Sequence, residues 1–499
     1  MFRDNCTVDI GVETEDTDMY QEGGFCPIHL GDSIAGRFEI LLKLGHGKSG
    51  TVWLVSDSEN RHGRYVALKV VAAAYSENYE PTAVLDRLKK HERDHGNPGV
   101  FLVEFERLFH TSRNGRHLCQ VFPVLGPPLS SLNIHWNRLY PTFGREFGRQ
   151  VASGVATMHS LGVCHGDLTT TNLAIRFGKS FDHLTEQELL AIFPSPRRRL
   201  VNDCFEEKDS PGPQYVVATP DLTLLPVNYF STGICILDFD QAFLADSAPR
   251  HITNTPPSYL APESIFAQTN SPASDVWALG CVLFMLKYPV ELFSHEFGRH
   301  PQSAVHDMHF ILGPLPEEWM SIPFFDGWPI HELDLEPGDE PKPLGIPPRI
   351  HTASLEECVE RIREARYPTS NIKPRTGRDF FCLVIPGIDL GDQERINQWE
   401  TENTPRIEKE DAGLFADLLR KIFNYDHTKR ITASQILEHS WMQEAGQERG
   451  DPGDVVLDPH DMDLIIHANR DVTQEWWSSS PTSSGGKSSS SMEQTDSEN

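Results

Sequence analysis

The chain is 499 residues long, more than one hydrophobic core supports, since single cores stop growing at roughly 250–300 residues; a large bilobal domain with extensions is expected. Its 72 acidic against 44 basic residues give a net charge of -28, which would repel a phosphate backbone, so a basic polypeptide is the expected partner and direct nucleic-acid binding is not. No run reaches the ~18 consecutive apolar residues of a membrane span, so no membrane partner is expected. The nine cysteines are scattered and never form a C-x-x-C pair, which reads as reduced thiols in a cytoplasmic or nuclear setting.

Residues 1 to about 36 are polar and acidic. They form an expected N-terminal extension with no apolar stretch of the secretory kind. The segments Phe38–Leu41, Thr51–Val55, Tyr65–Val71 and Cys119–Phe122 are rich in Val, Leu and aromatics and read as antiparallel strands. One helix interrupts them over Thr82–Glu92, with Pro81 in its first turn. Gly126-Pro127-Pro128 is the expected hinge, and the pattern after it is mainly helical, as in Phe143–His159, Pro272–Leu286 and Leu414–Phe423. The fold class that follows is α+β, with a small antiparallel-sheet lobe at about 37–125 and a larger helical lobe at about 126–445. Insertions are expected at about 178–233, where Thr185-Glu186-Gln187-Glu188 forms a capping box, and at about 287–405; a Ser-rich tail over 446–499 is expected to be disordered.

Gly45-His46-Gly47-Lys48-Ser49-Gly50-Thr51-Val52 has the form G-x-G-x-x-G-x-V, in which glycines let backbone N–H groups approach phosphates closely. Gly47-Lys48-Ser49 also resembles the end of a P-loop. That parse fails because Leu42 stands where its first glycine belongs and because a strand follows instead of a helix. Val66-Ala67-Leu68-Lys69 matches V-A-I-K, whose strand lysine neutralises the α- and β-phosphates. His165 to Asn172 keeps the spacing H-x-D-x-x-x-x-N, with Asp167 placed to accept a hydroxyl proton and Asn172 to hold Mg²⁺. Ile236-Leu237-Asp238-Phe239-Asp240 is an apolar strand that ends in a hard oxygen ligand suited to the same ion.

In this order, the motifs resemble those of the eukaryotic protein kinases over about residues 37–445. Tyr259-Leu260-Ala261-Pro262-Glu263 resembles A-P-E, Asp275-Val276-Trp277-Ala278-Leu279-Gly280 the central helix of the large lobe, and Arg430 the arginine that pairs with the A-P-E glutamate. A narrower resemblance is to the kinases specific for serine/arginine-rich proteins, especially fungal members. It rests on Tyr20-Gln21-Glu22-Gly23-Gly24-Phe25-Cys26-Pro27, on His117 to Gly126 and on Gly313-Pro314-Leu315-Pro316-Glu317-Glu318-Trp319. The resemblance implies a serine/threonine kinase that uses ATP and Mg²⁺ on a protein substrate, basic or Arg/Ser-rich. It further implies catalytic roles for Asp167 and Lys69, and metal roles for Asn172 and Asp238. ATP contacts would come from Leu44, Gly45, Gly47, Lys48, Gly50, Val52, Ala67, Lys69 and Leu125, with Leu125 facing adenine and Phe122 as gatekeeper. Glu80, Glu263, Asp275 and Arg430 would be structural.

Four positions depart from the kinase pattern. Gly166 replaces an arginine that reads a phosphate on the activation segment, and Thr169 replaces a lysine that touches the transferring group, a role that Lys48 could assume. Asp240 replaces the glycine of D-F-G. Pro81 stands where the helix glutamate partnering Lys69 is best aligned, leaving Glu80 as the provisional partner. These departures keep a second reading open, a pseudokinase or scaffold that binds basic proteins without catalysis.

Overall fold

Six segments rich in β-branched and aromatic residues pair into one antiparallel sheet. They are β1 (Ser33–Ile34), β2 (Phe38–Gly47), β3 (Gly50–Asp57), β4 (Tyr65–Val71), β5 (Glu106–Ser112) and β6 (Gly115–Phe122), in the order β1-β2-β3-β4-β6-β5. The computed structural model describes residues 14–76, 83–96, 99–131, 141–201, 212–225, 229–251, 254–288, 291–293, 300–325, 327–329, 342–345, 353–363 and 409–443. The sequence reading places the four central strands and misses β1 and β5. β5 is an edge strand whose residues are all partly buried or exposed, so neither of its faces is dry enough to impose a clear alternation of apolar and polar residues.

One face of the sheet is a closed layer of Phe38, Ile40, Trp53, Val55, Val66, Leu68, Val70, Cys119 and Val121. Cys26 and Ile28, from the supposedly peripheral N-terminal extension, complete it. That extension is strapped to the lobe by backbone bonds: Gly23 N–H donates to Asn114 O at 2.8 Å, and Ala73 and Ala74 N–H donate to Gly24 O at 3.0 Å and Gly23 O at 2.7 Å. Glu15 and Lys43 form an ion pair beneath the strap, both buried. Two helices follow the central strand, α1 (Ala73–Ser76) and α2 (Ala83–Asp94). α2 buries Val84, Leu88 and Glu92. The provisional partner Glu80, with Pro81, lies outside the described residues.

Gly126-Pro127-Pro128 is a short strand instead of a free turn. It belongs to β7 (Leu125–Pro128), which sets Leu125 opposite Arg176 and Pro128 opposite Ala174. β7 is the edge of a three-stranded sheet whose centre is Leu173–Phe177 and whose far strand is Phe230–Ile236, and an edge is where a strand tolerates proline's missing N–H. The large lobe then runs through α3 (Pro141–Ser160), β8 (Val163–Cys164), β9 (Leu173–Phe177), α4 (Glu186–Ile192), β10 (Arg198–Leu200), β11 (Tyr215–Val217), β12 (Phe230–Ile236) and β13 (Phe243–Leu244). It continues with α5 (Pro262–Phe266), α6 (Pro272–Lys287), α7 (Pro301–Leu312) and, after shorter elements, α8 (Lys409–Ile422). α6 is apolar on every side and almost wholly buried, as a helix at the centre of a lobe must be. Pro272 at its first position and a capping box between Ser271 and Ser274 fix its start.

The first insertion belongs spatially to the small lobe, although the sequence places it in the large one. The Thr185–Glu188 capping box forms with both of its hydrogen bonds and starts α4, whose Leu189 packs with Phe181, Phe193, Leu222 and Leu225 on Leu41, Leu42, Leu54 and Tyr65 of the sheet lobe. Asp182 Oδ1 accepts from the Arg64 and Tyr65 N–H groups at 2.7 and 3.2 Å. The β10–β11 hairpin adds Val217 to the core layer of the sheet, and Leu30 N–H donates to Tyr215 Oη at 3.2 Å. Part of the second insertion and the whole of 446–499 lie outside the described residues.

Candidate active site

The glycine motif is a tight hairpin between β2 and β3, with Gly45 opposite Val52 and Gly47 opposite Gly50. Its glycines serve different ends. A Cβ on Gly50 would sit 2.3 Å from Val70 O, so this position admits no side chain, whereas a Cβ on Gly45 or Gly47 would meet nothing within 4 Å. The fold requires Gly50 for packing. At Gly45 and Gly47 it leaves open space that a bound group can enter. Lys48 is at the exposed tip.

Val52 is directly opposite Lys69, and Ala67 is opposite Phe122. Residues opposite or two apart share a face of a sheet, so Val52, Ala67, Lys69 and Phe122 face the same side, away from the dry core layer. Val52 and Lys69 are correspondingly only half-buried in strands that are mostly buried. Leu44 is partly buried next to the hairpin and Leu125 partly buried at the start of β7.

Below the sheet, the loop after β8 is held by the buried carboxylate of Asp275, on the first turn of α6. It accepts the N–H groups of His165 at 2.7 Å and Gly166 at 3.0 Å, and it bonds His159 Nε2 at 3.0 Å. Burial alone would push the Asp275 carboxyl up. The His159 bond, the field of both histidines and the Gly166 N–H outweigh it and hold the group below the usual carboxylate range. His165 then reaches Leu237 O through Nε2 at 2.9 Å, and Leu237 N–H donates to Asn172 O at 2.8 Å. These bonds tie the Asp167 loop to the strand that delivers Asp238.

Phe101 and Phe239 meet edge to face at 6.2 Å between centroids, and His165 contacts Phe239 at 5.3 Å. Leu88 of α2 belongs to the same core. With Phe239 buried, the two aspartates flanking it are exposed. Asp238 has φ +59°, the left-handed region that a non-glycine residue rarely occupies. Asp240 returns toward the sheet and its Oδ2 is 3.2 Å from Lys69 Nζ.

Asn172 Nδ2 donates to Asp167 O at 2.8 Å and to Asp167 Oδ2 at 3.0 Å. The second carboxylate oxygen of Asp167, Oδ1, is buried and has no hydrogen-bond partner among the described residues. Burial pushes the Asp167 carboxyl above its ordinary range, opposed by His165 and by the Asn172 bond.

Gly166 is fixed by geometry. Its φ is +73°, and a Cβ would lie 2.4 Å from Gln241 O, so no arginine fits here without moving the next segment. Gly166→Arg is expected to cost ~1–3 kcal/mol in backbone strain, read as a lower Tm with loss of activity. Thr169 is buried and makes no capping bond. Glu263, at 2% side-chain exposure, and Arg430, at 0%, form a buried pair with contacts of 2.6 and 2.9 Å. Both lie away from the cleft and anchor α5.

The structure therefore brings Asp167, Asn172 and Asp238 to one rim, with Lys69 joined to it through Asp240. Two contacts had no sequence signal strong enough to find them. Thr255 donates from Oγ1 to Gly166 O at 2.7 Å, and the only hint is a Thr a few residues before A-P-E. The pairing of Asp240 with Lys69 joins residues 171 positions apart; the substitution itself was visible, its partner was not.

The family model for the protein kinase domain matches residues 229–442. Among curated proteins, serine/threonine-protein kinase AFC1 of Arabidopsis thaliana is 29% identical over 431 residues, covering 84% of this chain and 73% of that protein. Serine/threonine-protein kinase SRPK of Physarum polycephalum is 26% identical over 319 residues, 62% of this chain and 74% of that one. SRSF protein kinase 3 of Homo sapiens is 31% identical over 226 residues, 42% of this chain and 37% of that protein. A sheet lobe carrying Lys69 above a helical lobe carrying Asp167 agrees with these matches: the chain has the bilobal kinase architecture, is similar to serine/threonine-protein kinases over most of its length, and matches the protein kinase domain model over residues 229–442.

Proposed function

We propose that the protein transfers the γ-phosphoryl group of ATP to serine or threonine hydroxyls of basic, Arg/Ser-rich polypeptides. The observation that carries this reading is the buried Oδ1 of Asp167, which accepts no hydrogen bond among the described residues, in a loop anchored through His165, Gly166 and Asn172. An unsatisfied buried acceptor is costly and persists where a function uses it. Here it is free to accept the proton of a substrate hydroxyl.

The residues fit Mg-ATP. The open space over Gly45 and Gly47 admits phosphates close to the backbone. Asp238 and Asn172 supply the hard oxygens that Mg²⁺ requires. ATP would bring the transferable group, and Mg²⁺ would neutralise the charge on its phosphate oxygens. Lys69 orients the phosphates from a rigid strand, Asn172 and Asp238 fix the metal position, and Asp167 holds the nucleophile in line. Positioning and electrostatics are most of what phosphoryl transfer asks of a protein. The four residues supply both, and this favours catalysis over a nucleotide-binding scaffold.

The Arg/Ser preference rests on the kinship with SRPK and SRSF protein kinase 3 and on the net charge of -28, which attracts cationic chains and loses its pull as salt rises. The test is phosphate incorporation from Mg-ATP into an Arg/Ser-repeat peptide and into the same peptide with alanine for arginine. The expected result is faster incorporation into the first, with an advantage that shrinks between low and high salt. Equal rates on both would remove the substrate preference, and background rates on both would remove the transferase reading.

A further inference from the structure

We propose that Asp240 is the positioning partner of Lys69, taking over the role that a glutamate on α2 would otherwise fill. The proposal rests on the nucleotide-site reading above and extends it to the third position of the D-F-G motif.

Lys69 Nζ lies 3.2 Å from Asp240 Oδ2, and among the described residues this is its ion pair. The described part of α2 offers no substitute. Val84 and Leu88 are buried in the apolar core, Asp86 and Asp94 are exposed and neither pairs with Lys69, and Glu92 spends its carboxylate on the N–H groups of Gly99, Val100 and Phe101 at 2.8, 3.1 and 3.0 Å. A lysine on a long flexible stem is a point charge without intrinsic direction, and an anchoring carboxylate fixes where it points. Asp240 is placed to do this by a defined backbone path: left-handed φ at Asp238, a buried Phe239, and Asp240 N–H donating to Asp238 Oδ1 at 3.4 Å. Asp238 and Asp240 thus face the cleft together while Phe239 faces the core. The side chain of Asp240 is 52% exposed, so the pair adds little to folding stability, and its consequence is the direction of Lys69.

The position also explains how D-F-D replaces D-F-G. In this chain the carboxylate that steadies the strand lysine is covalently linked to the metal-facing aspartate two residues earlier. Orientation of the phosphates and of the metal would therefore be set by one short segment instead of by the swing of a helix.

The test is equilibrium binding of Mg-ATP and of adenosine to the full chain, using wild type, Asp240→Asn, Asp240→Glu, Lys69→Met and the Lys69→Met/Asp240→Asn double variant. Melting temperatures should agree, because Asp240 is exposed. Asp240→Asn is expected to weaken Mg-ATP about tenfold and to leave adenosine unchanged. Asp240→Glu should recover most of the loss, and Asp240→Asn should add less than about twofold on the Lys69→Met background, since coupled residues are non-additive. Unchanged or tighter Mg-ATP binding by Asp240→Asn, or full additivity with Lys69→Met, would overturn the proposal. Wild type that binds Mg-ATP but transfers nothing would sink the transferase reading and leave this one standing. Wild type that binds no Mg-ATP would end both.

Discussion

Asp167→Ala is expected to lower phosphoryl transfer by ~10²–10⁴-fold, the usual contribution of a positioned proton acceptor, while Mg-ATP binding and Tm stay close to wild type. The loss is specific because the substitution removes the unpartnered Oδ1 and leaves the rest of the loop anchored. Asn172 Nδ2 keeps its bond to the backbone oxygen of residue 167, and Asp275 still holds the His165 and Gly166 N–H groups. Asp167→Asn separates charge from shape, since it is isosteric but cannot accept a proton at the amide nitrogen. Matching losses in the two variants would assign the effect to the carboxylate. Single-turnover transfer to an Arg/Ser-repeat peptide is the measurement, and a rate within threefold of wild type for Asp167→Ala would exclude its role as proton acceptor.

Arg430→Ala is expected to destabilise the protein by ~3–5 kcal/mol, because deleting one member of a buried ion pair strands the other. At roughly 1–1.5 °C per kcal/mol for a domain of about 400 residues, Tm should fall by roughly 3–8 °C. The guanidinium makes two contacts to Glu263 and also donates to Ala273 O at 2.7 Å and Asn424 O at 2.9 Å. It stacks over Trp277 at 5.0 Å as well. Its loss therefore leaves a buried carboxylate and two carbonyls without their donor at once. Arg430→Lys should recover only part of the loss, since one ammonium cannot reproduce the planar fork. Glu263→Gln should cost less than Arg430→Ala, because it leaves the arginine its two carbonyl acceptors. A fall in Tm of under 2 °C for Arg430→Ala would show that the pair does not hold α5 to α6.

The two substitutions probe opposite designs within one lobe. Asp167 retains an oxygen without a partner among the described residues in a loop anchored through its neighbours, and Glu263 has both oxygens paired. The first arrangement is useful only when another molecule arrives, whereas the second is complete in the folded chain.

How the lobes are joined was poorly legible in the sequence. The capping box at Thr185 could be read because its two hydrogen bonds lie within four residues, but its helix docks on Leu41, Leu42 and Leu54, more than a hundred residues upstream. The N-terminal extension looked peripheral by composition. Among its described residues, Tyr20, Phe25, Cys26, Ile28 and Ile34 are nevertheless buried against the sheet lobe, with Met19 and Leu30 partly so. Composition averages over a segment, whereas docking needs only a few side chains and a run of backbone bonds.

By itself, the sequence determined which chemistry the protein can attempt. The glycine spacing at 45–50, Lys69, the span from His165 to Asn172, and Asp238 are local patterns whose order restricts the fold to two lobes around a phosphate-handling cleft. Only the tertiary structure decided what two of the four departures from the pattern, Gly166 and Asp240, mean. Gly166 is required because φ +73° and the Gln241 carbonyl leave no room for a side chain. Asp240 is the carboxylate that reaches Lys69 because the left-handed turn at Asp238 sends the chain back toward β4. The physical reason is range: spacing along the chain reports hydrogen bonds and turns that close within a few residues, whereas charge pairing and steric exclusion act between residues that folding alone brings together.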